Sequence, residues 1–205
     1  MKIAIWILLA AVLLTACAPQ TPVPTQTESG TWETQNPTRQ TQALPWITPQ
    51  TSGGEILLKV WQSYPAENQF SIFGGSMENP AEDIPGDLNM AKPQELADRF
   101  LFPEEHLEEV KSGASMVHLM NGTIFTGAIV ELSQDAAYQE TAKQWEENIQ
   151  KNFWICGHPD KLLIAWVDGH LVMAYGLEDP VEVFREMLQQ CYSQTQVLVY
   201  EAIRA

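Results

Sequence analysis

Positive charge is scarce in this chain. Eleven lysines and arginines stand against 26 aspartates and glutamates, a formal net charge of −15. Binding to nucleic acid normally needs a basic footprint that neutralises phosphate, so no nucleic-acid partner is expected. The same deficit argues against polybasic attachment to anionic lipid. Motifs for covalent and phosphate chemistry are missing as well. No G-x-S-x-G elbow occurs, and the lone glycine pair in residues 73–76, "FGGS", lacks P-loop or dinucleotide spacing. The longest apolar run, residues 3–14, falls short of the about 20 residues that a bilayer-spanning helix needs. Cysteine occurs only three times, and the place of the first one carries most of the reading.

Met1 and Lys2 give a short positive start, the apolar run has the length of a signal-peptide core, and Thr15 and Ala16 are small. Leu14-Thr15-Ala16-Cys17 resembles the bacterial lipobox, in which the cysteine becomes the first mature residue and its thiol carries a diacylglyceryl group. Residues 1–16 are therefore expected to be a lipoprotein signal peptide and Cys17 the lipidation site. The cell membrane, on its extracytoplasmic side, is the expected location. Two acyl chains hold stably where one is marginal. Residues 17–54 are dominated by Thr, Pro and Gln and show no periodic apolar face, the composition of a disordered linker. A coil of that length spans roughly 35 Å root-mean-square. Its Trp46 and Ile47 are open to a second reading, docking on the folded domain or on a partner.

Residues 55–205 suit a single domain with one core. In "GEILLKVWQSY", Ile56, Leu57, Val60, Trp61 and Tyr64 recur at helical spacing. Residues 70–89 are punctuated by Gly and Pro and read as irregular. "PQELADRFL" and "PEEHLEEVKSG" read as short helices, the second stopped at Gly113. Strand "SMVHLM", an Asn121-Gly122 turn and strand "TIFTGAIVEL" follow. A helix then carries Tyr138, Ala142, Trp145, Ile149 and Phe153 on one face. Strands "KLLIAWV" and "HLVMAYG" flank Asp168-Gly169. A helix capped by Asp179 and buried through Val181, Phe184, Leu188 and Cys191 leads to the last strand, "TQVLVYEAI". The expected fold is α+β: N-terminal helices, then β-β-α-β-β-α-β, a mostly antiparallel sheet with helices on one face. "LLIAWV" does not alternate, so it is expected to be a central strand covered at least partly on both faces.

The succession "QELADRFLFPEEHLEEV", "MVHLMNGT", "AIVELSQDAAYQETAKQWEENIQKNF", "LLIAWVDGHLVMAYG" and "DPVEVFREML" resembles the bacterial lipoproteins with domain of unknown function 4358. It covers residues 91–188. The resemblance implies surface placement and an α+β fold. That family has no assigned activity, so the resemblance transfers no catalytic residue.

Several clusters invite chemistry. Cys156 and Cys191 are a candidate disulfide whose loop closure would be worth roughly 3–4 kcal/mol on the chain-entropy model; buried apolar filler is the other reading. Cys156, His158 and Asp160 offer a partial zinc pattern, and Glu78, Glu82, Asp83 and Asp87 crowd a loop of the kind calcium uses, but neither matches a complete motif. No metal and no cofactor is expected. Tyr64, Phe70 and Phe73 sit where regular structure ends and are candidate ligand-binding aromatics. The function expected is a non-catalytic binding domain in the cell envelope, with an envelope protein or a small ligand as partner. Two alternatives stay open: a solute- or glycan-binding lipoprotein using those aromatics, and a small hydrolase whose carboxylates or metal converge with His118, His158 or His170.

Overall fold

The structure is a computed structural model that describes residues 51–133 and 136–204. The signal peptide, Cys17, Trp46, Ile47 and most of the expected linker lie outside the described residues. Four helices are present among them: α1 (Gly53–Gln62), α2 (Gln94–Phe100), α3 (Tyr138–Lys151) and α4 (Glu178–Cys191). The strands are β1 (Ile72–Gly74), β2 (Ala81–Glu82), β3 (Gly86–Asp87), β4 (Val110–His118), β5 (Phe125–Leu132), β6 (Lys161–Val167), β7 (His170–Gly176) and β8 (Gln196–Ala202). They form one antiparallel sheet in the order β2-β1-β4-β5-β7-β6-β8, with β3 also pairing with β4. The α+β class and the β-β-α-β-β-α-β succession are as expected.

Side-chain alternation along the central strands decides the layering. Leu163, Ala165 and Val167 of β6, with Val172 and Ala174 of β7, meet Ile56, Leu57 and Val60 of α1 and Val181, Phe184 and Leu188 of α4. Leu162, Ile164 and Trp166, with Leu171, Met173 and Tyr175, pack on the other side with Leu96 and Phe100 of α2 and Ala142, Trp145 and Ile149 of α3. The expectation of one covered face is corrected: both faces are apolar, so both carry helices.

Local chemistry sets the helix ends. Ser52 caps α1 in a reciprocal box, accepting from Glu55 N at 3.2 Å and donating its own N–H to Glu55 Oε2 at 2.9 Å. The folded domain thus begins inside the segment expected to be linker. Helix α4 is not capped by Asp179. Its N-cap residue is Leu177, and the Glu178 N–H donates to Asp160 Oδ2 at 3.3 Å, a carboxylate from the start of β6. Helix α3 stops at Lys151, because Asn152 turns extended. Phe153 therefore leaves the apolar face on which its spacing had put it.

Two further expectations change. Residues Glu104–Glu109 form only a 3-10 turn, and Lys111 and Gly113 belong to β4, where a ladder of seven residue pairs with β5 outweighs local helix preference. Asp168-Gly169 is a tight two-residue turn, with φ of 45° and 82° joining paired Val167 and His170. Asn121-Gly122 is not: β4 ends at His118 and β5 begins at Phe125, leaving a longer loop.

The irregular stretch of residues 70–89 holds β1, β2 and β3. Strands β1 and β3 lie end to end along one edge of β4, opposite 116–118 and 114–115. The junction needs glycine. A Cβ on Gly74 would stand 2.2 Å from the Gly86 nitrogen, and Gly75 has φ 77°. Ser115 Oγ accepts the Gly75 N–H at 3.0 Å, and Arg99 Nη1 donates to the Gly75 carbonyl at 2.9 Å.

At the opposite edge, β8 is blunted in two ways. Ile164 opposes Val199 while Ala165 opposes Val197, so Leu198 is an extra, bulged residue and packs with Val199 on the α3 side. The Gln150 amide then donates to Ala202 O at 3.0 Å and accepts from Arg204 N at 2.9 Å.

Gly74→Ala is expected to destabilise the domain by about 2–3 kcal/mol, since backbone on both sides must move. Urea unfolding measures it; a loss below about 0.5 kcal/mol would show that the junction is looser than described.

Candidate interaction surface

Strand register fixes which residues share an end of the sheet. Phe125 pairs with Gly176, and Gly176 with Lys161. The loop of residues 119–124 before β5, the segment 152–160 before β6 and Leu177 after β7 therefore leave the sheet at one common end. Asp168-Gly169, His170 and Glu131 mark the other end.

That common end is apolar. Seven large hydrophobic side chains are exposed among the described residues, and five of them (Leu119, Met120, Phe153, Ile155 and Leu177) are here. Met120, Phe153 and Ile155 are 82%, 85% and 83% exposed, and Leu119 54%. Fully covering Met120, Phe153 or Ile155 would recover about 1.5–3 kcal/mol each, and half-exposed Leu119 and Leu177 less. The loops are set in place without a partner. Asn121 Nδ2 donates to the Cys156 carbonyl at 3.0 Å, and Asn121 Oδ1 accepts from Thr123 N and Oγ1, each at 3.0 Å. His118 Nδ1 accepts from Met120 N at 3.2 Å. Leu177 N donates to Ile124 O at 3.0 Å, joining the start of α4 to the same end. Phe153 also overhangs a cleft of about 500 Å³ floored by Ala97, Leu101 and Phe102 and walled by Glu104, Glu105 and Lys151.

The aromatics singled out from sequence do not form one patch. Tyr64 is buried and sits in a cluster with Trp61 and Phe70, at ring-centroid distances of 4.9 Å from Trp61 and 6.5 Å from Phe70; Phe70 continues it to His118 and Phe125. Burial pushes the Tyr64 phenol pKa up. Phe73 lies across the sheet under the Arg99 guanidinium, because neighbouring strand residues point to opposite faces. Only a shallow depression of about 300 Å³ remains beside Trp61, Phe70 and Asp83.

The cysteines are both free thiols rather than a bridge. Cys191, at the end of α4, has its Sγ 3.2 Å from Ser63 Oγ just beyond α1, whereas Cys156 is exposed in the loop beside Asn121. The zinc pattern is dispersed: His158 Nε2 meets Arg204 O at 3.0 Å, while Asp160 caps α4. The acidic loop is equally dispersed, with Glu78 paired to Lys92 and the Asp83 carbonyl accepting from Trp61 Nε1. Among the described residues, no three His, Cys, Asp or Glu side chains gather around one point. His118 and His170 stand at opposite ends of the sheet.

Sequence reasoning missed Leu119, Met120, Phe153 and Ile155. Met120 read as strand and Phe153 as helix core, since periodicity runs on past each element's true end. Asn152 just after the helix and Pro159 just before β6 were the available signals for the second.

His170 offers a test of the far end. Its Nδ1 lies 2.9 Å from Asp168 O, and Nε2 is buried with no partner among the described residues. Burial lowers its pKa from the ordinary 6.5, and nearby Glu131 and Asp168 offset this only in part. The unfolded chain takes up this proton near pH 6.5 while the folded one resists it, so stability is whole above that pH and falls as pH drops through it. His118, lowered by burial too, acts with the same sign. Between pH 7.5 and 5.5, His170→Gln is expected to flatten a loss of up to about 1.4 kcal/mol per pH unit, read from urea midpoints; an unchanged slope would refute the assignment. Set against known protein families, curated proteins and solved structures, the chain matches none of them.

Proposed function

We propose that this protein is a lipid-anchored, non-catalytic binding domain of the bacterial cell envelope, fastened at Cys17 and engaging its partner through the apolar end of the sheet. The observation that carries the binding part is the concentration of Leu119, Met120, Phe153, Ile155 and Leu177 on hydrogen-bonded neighbouring segments. Scattered apolar residues need no explanation, but a preformed cluster of this size does. The anchor rests on the lipobox-like residues 14–17. Among the described residues no helix is long and apolar enough to cross a membrane. The lipoprotein resemblance rests on the motifs quoted for it alone. A glycan platform finds little support, because Phe73 is separated from Tyr64 and Phe70 by the sheet. The hydrolase reading finds none in the placement of His118, His158 and His170.

Labelled palmitate is expected to enter the chain in its native host and to be lost in Cys17→Ser, with the protein moving from the membrane to the soluble fraction. A chain that stays unlabelled removes the anchor. For the binding surface, a photo-crosslinking phenylalanine analogue in place of Met120 or Ile155 is expected to form adducts in intact cells, while the same group in place of the exposed Glu186 forms none. Equal yields at all three positions would remove the apolar end as the site.

A further inference from the structure

We propose that the surface covering the apolar end is the bilayer itself, so that the loops of residues 119–124 and 152–159 make a second, non-covalent membrane contact. This rests on the lipid-anchor reading above.

The chemistry of the loops fits a lipid–water interface. Their sequences, "LMNGTI" and "NFWICGHP", contain no carboxylate in a chain that has 26, and the exposed Asp160 that follows the second is engaged by the Glu178 N–H at the start of α4. They can thus enter a low-dielectric layer without desolvating an acid. Leu, Met, Phe and Ile form the tips, and Trp154 packs behind them against Tyr175 at 5.0 Å. The charges at the margin are mixed. Lys151, His158 and Arg204 stand beside the second loop, Glu178 is paired with Lys161 at 2.9 Å, and Glu104 and Glu105 line the cleft beside Phe153, which limits how far that side can sink. With a net charge of −15 the whole chain is repelled by anionic lipid, so a zwitterionic interface is the fitting surface.

Reach and concentration also favour the bilayer. The chain enters the domain at Ser52, and the Gly53 Cβ position lies 2.9 Å from Ile129 and 3.6 Å from His170, towards the far end of the sheet. Reaching the other end from there requires spanning strands roughly 23 Å long. The 34 residues 18–51 extend to at most about 110 Å, so the loops can touch the layer that holds Cys17. An acyl anchor makes that second contact intramolecular, and a weak apolar contact becomes effective at the resulting local concentration.

The test uses the full acylated chain carrying Cys191→Ser, which leaves the exposed Cys156 as the reactive thiol. An environment-sensitive fluorophore on Cys156 is followed in phosphatidylcholine vesicles that contain a nitroxide-bearing lipid, with flotation recording attachment. The expected result is flotation, a blue shift and roughly twofold quenching, reversed when Phe153→Asp and Ile155→Asp are added while flotation persists. A chain that floats with its label still water-like overturns the docking proposal alone. A blue shift without quenching puts a second copy of the chain on the loops and overturns it as well. A chain that does not float overturns the anchor reading, and the docking proposal with it.

Discussion

The structure depends on the fact that β5, β6 and β7 have apolar side chains on both faces. A strand such as β6, with Leu162, Ile164 and Trp166 one way and Leu163, Ala165 and Val167 the other, is stable only where both sides are dry. Each helix answers that demand. Helices α1 and α4 close one side, and α2 and α3 the other. The loops at the ends of the central strands are left as the places where the chain is free of packing duty. Function, on this architecture, has the two ends of the sheet to occupy, and among the described residues the exposed apolar side chains concentrate at one of them.

The polar contacts arrange what the apolar layers leave undetermined. Trp145 is fully buried, and its indole N–H donates to the Phe100 carbonyl at 2.7 Å, tying α3 to the end of α2. Arg99 binds Glu95 and the Gly75 carbonyl, which locks the β1–β3 segment against α2. Asp160 joins three elements: its N–H bonds Gly176 O, its carbonyl accepts from Ile203 N, and its carboxylate caps α4. Buried donors and acceptors left unpaired are costly, so these few residues fix the registry of the layers.

Much of this was legible in the residues, and the reasons are local. The faces of α1 and α4 followed from apolar spacing, and Asp168-Gly169 followed from a turn type that demands positive φ at both positions. What escaped was set by distant partners. The short strands in residues 70–89 exist because β4 offers an edge, not because "FSIF" prefers to be extended. The start of α4 was misread because its cap, Asp160, is 18 residues away. Phe73 was grouped with Phe70 by nearness in sequence, whereas strand alternation sends it to the opposite layer. The apolar end escaped for the same reason: Met120 and Phe153 come together only once β4, β5, α3 and β6 are assembled.

The free border of the sheet at β8 is blunted along its length by the bulge at Leu198 and at its end by Gln150, whose amide supplies both a donor to Ala202 and an acceptor for Arg204, with a further bond to Glu201. An amide is a perishable group. Slow hydrolysis to a carboxylic acid would erase the donor and add a negative charge where Glu146 and Glu201 already repel each other, loosening the end of β8. Ageing of this molecule would then show first at the end of β8, before any loss of its helical layers.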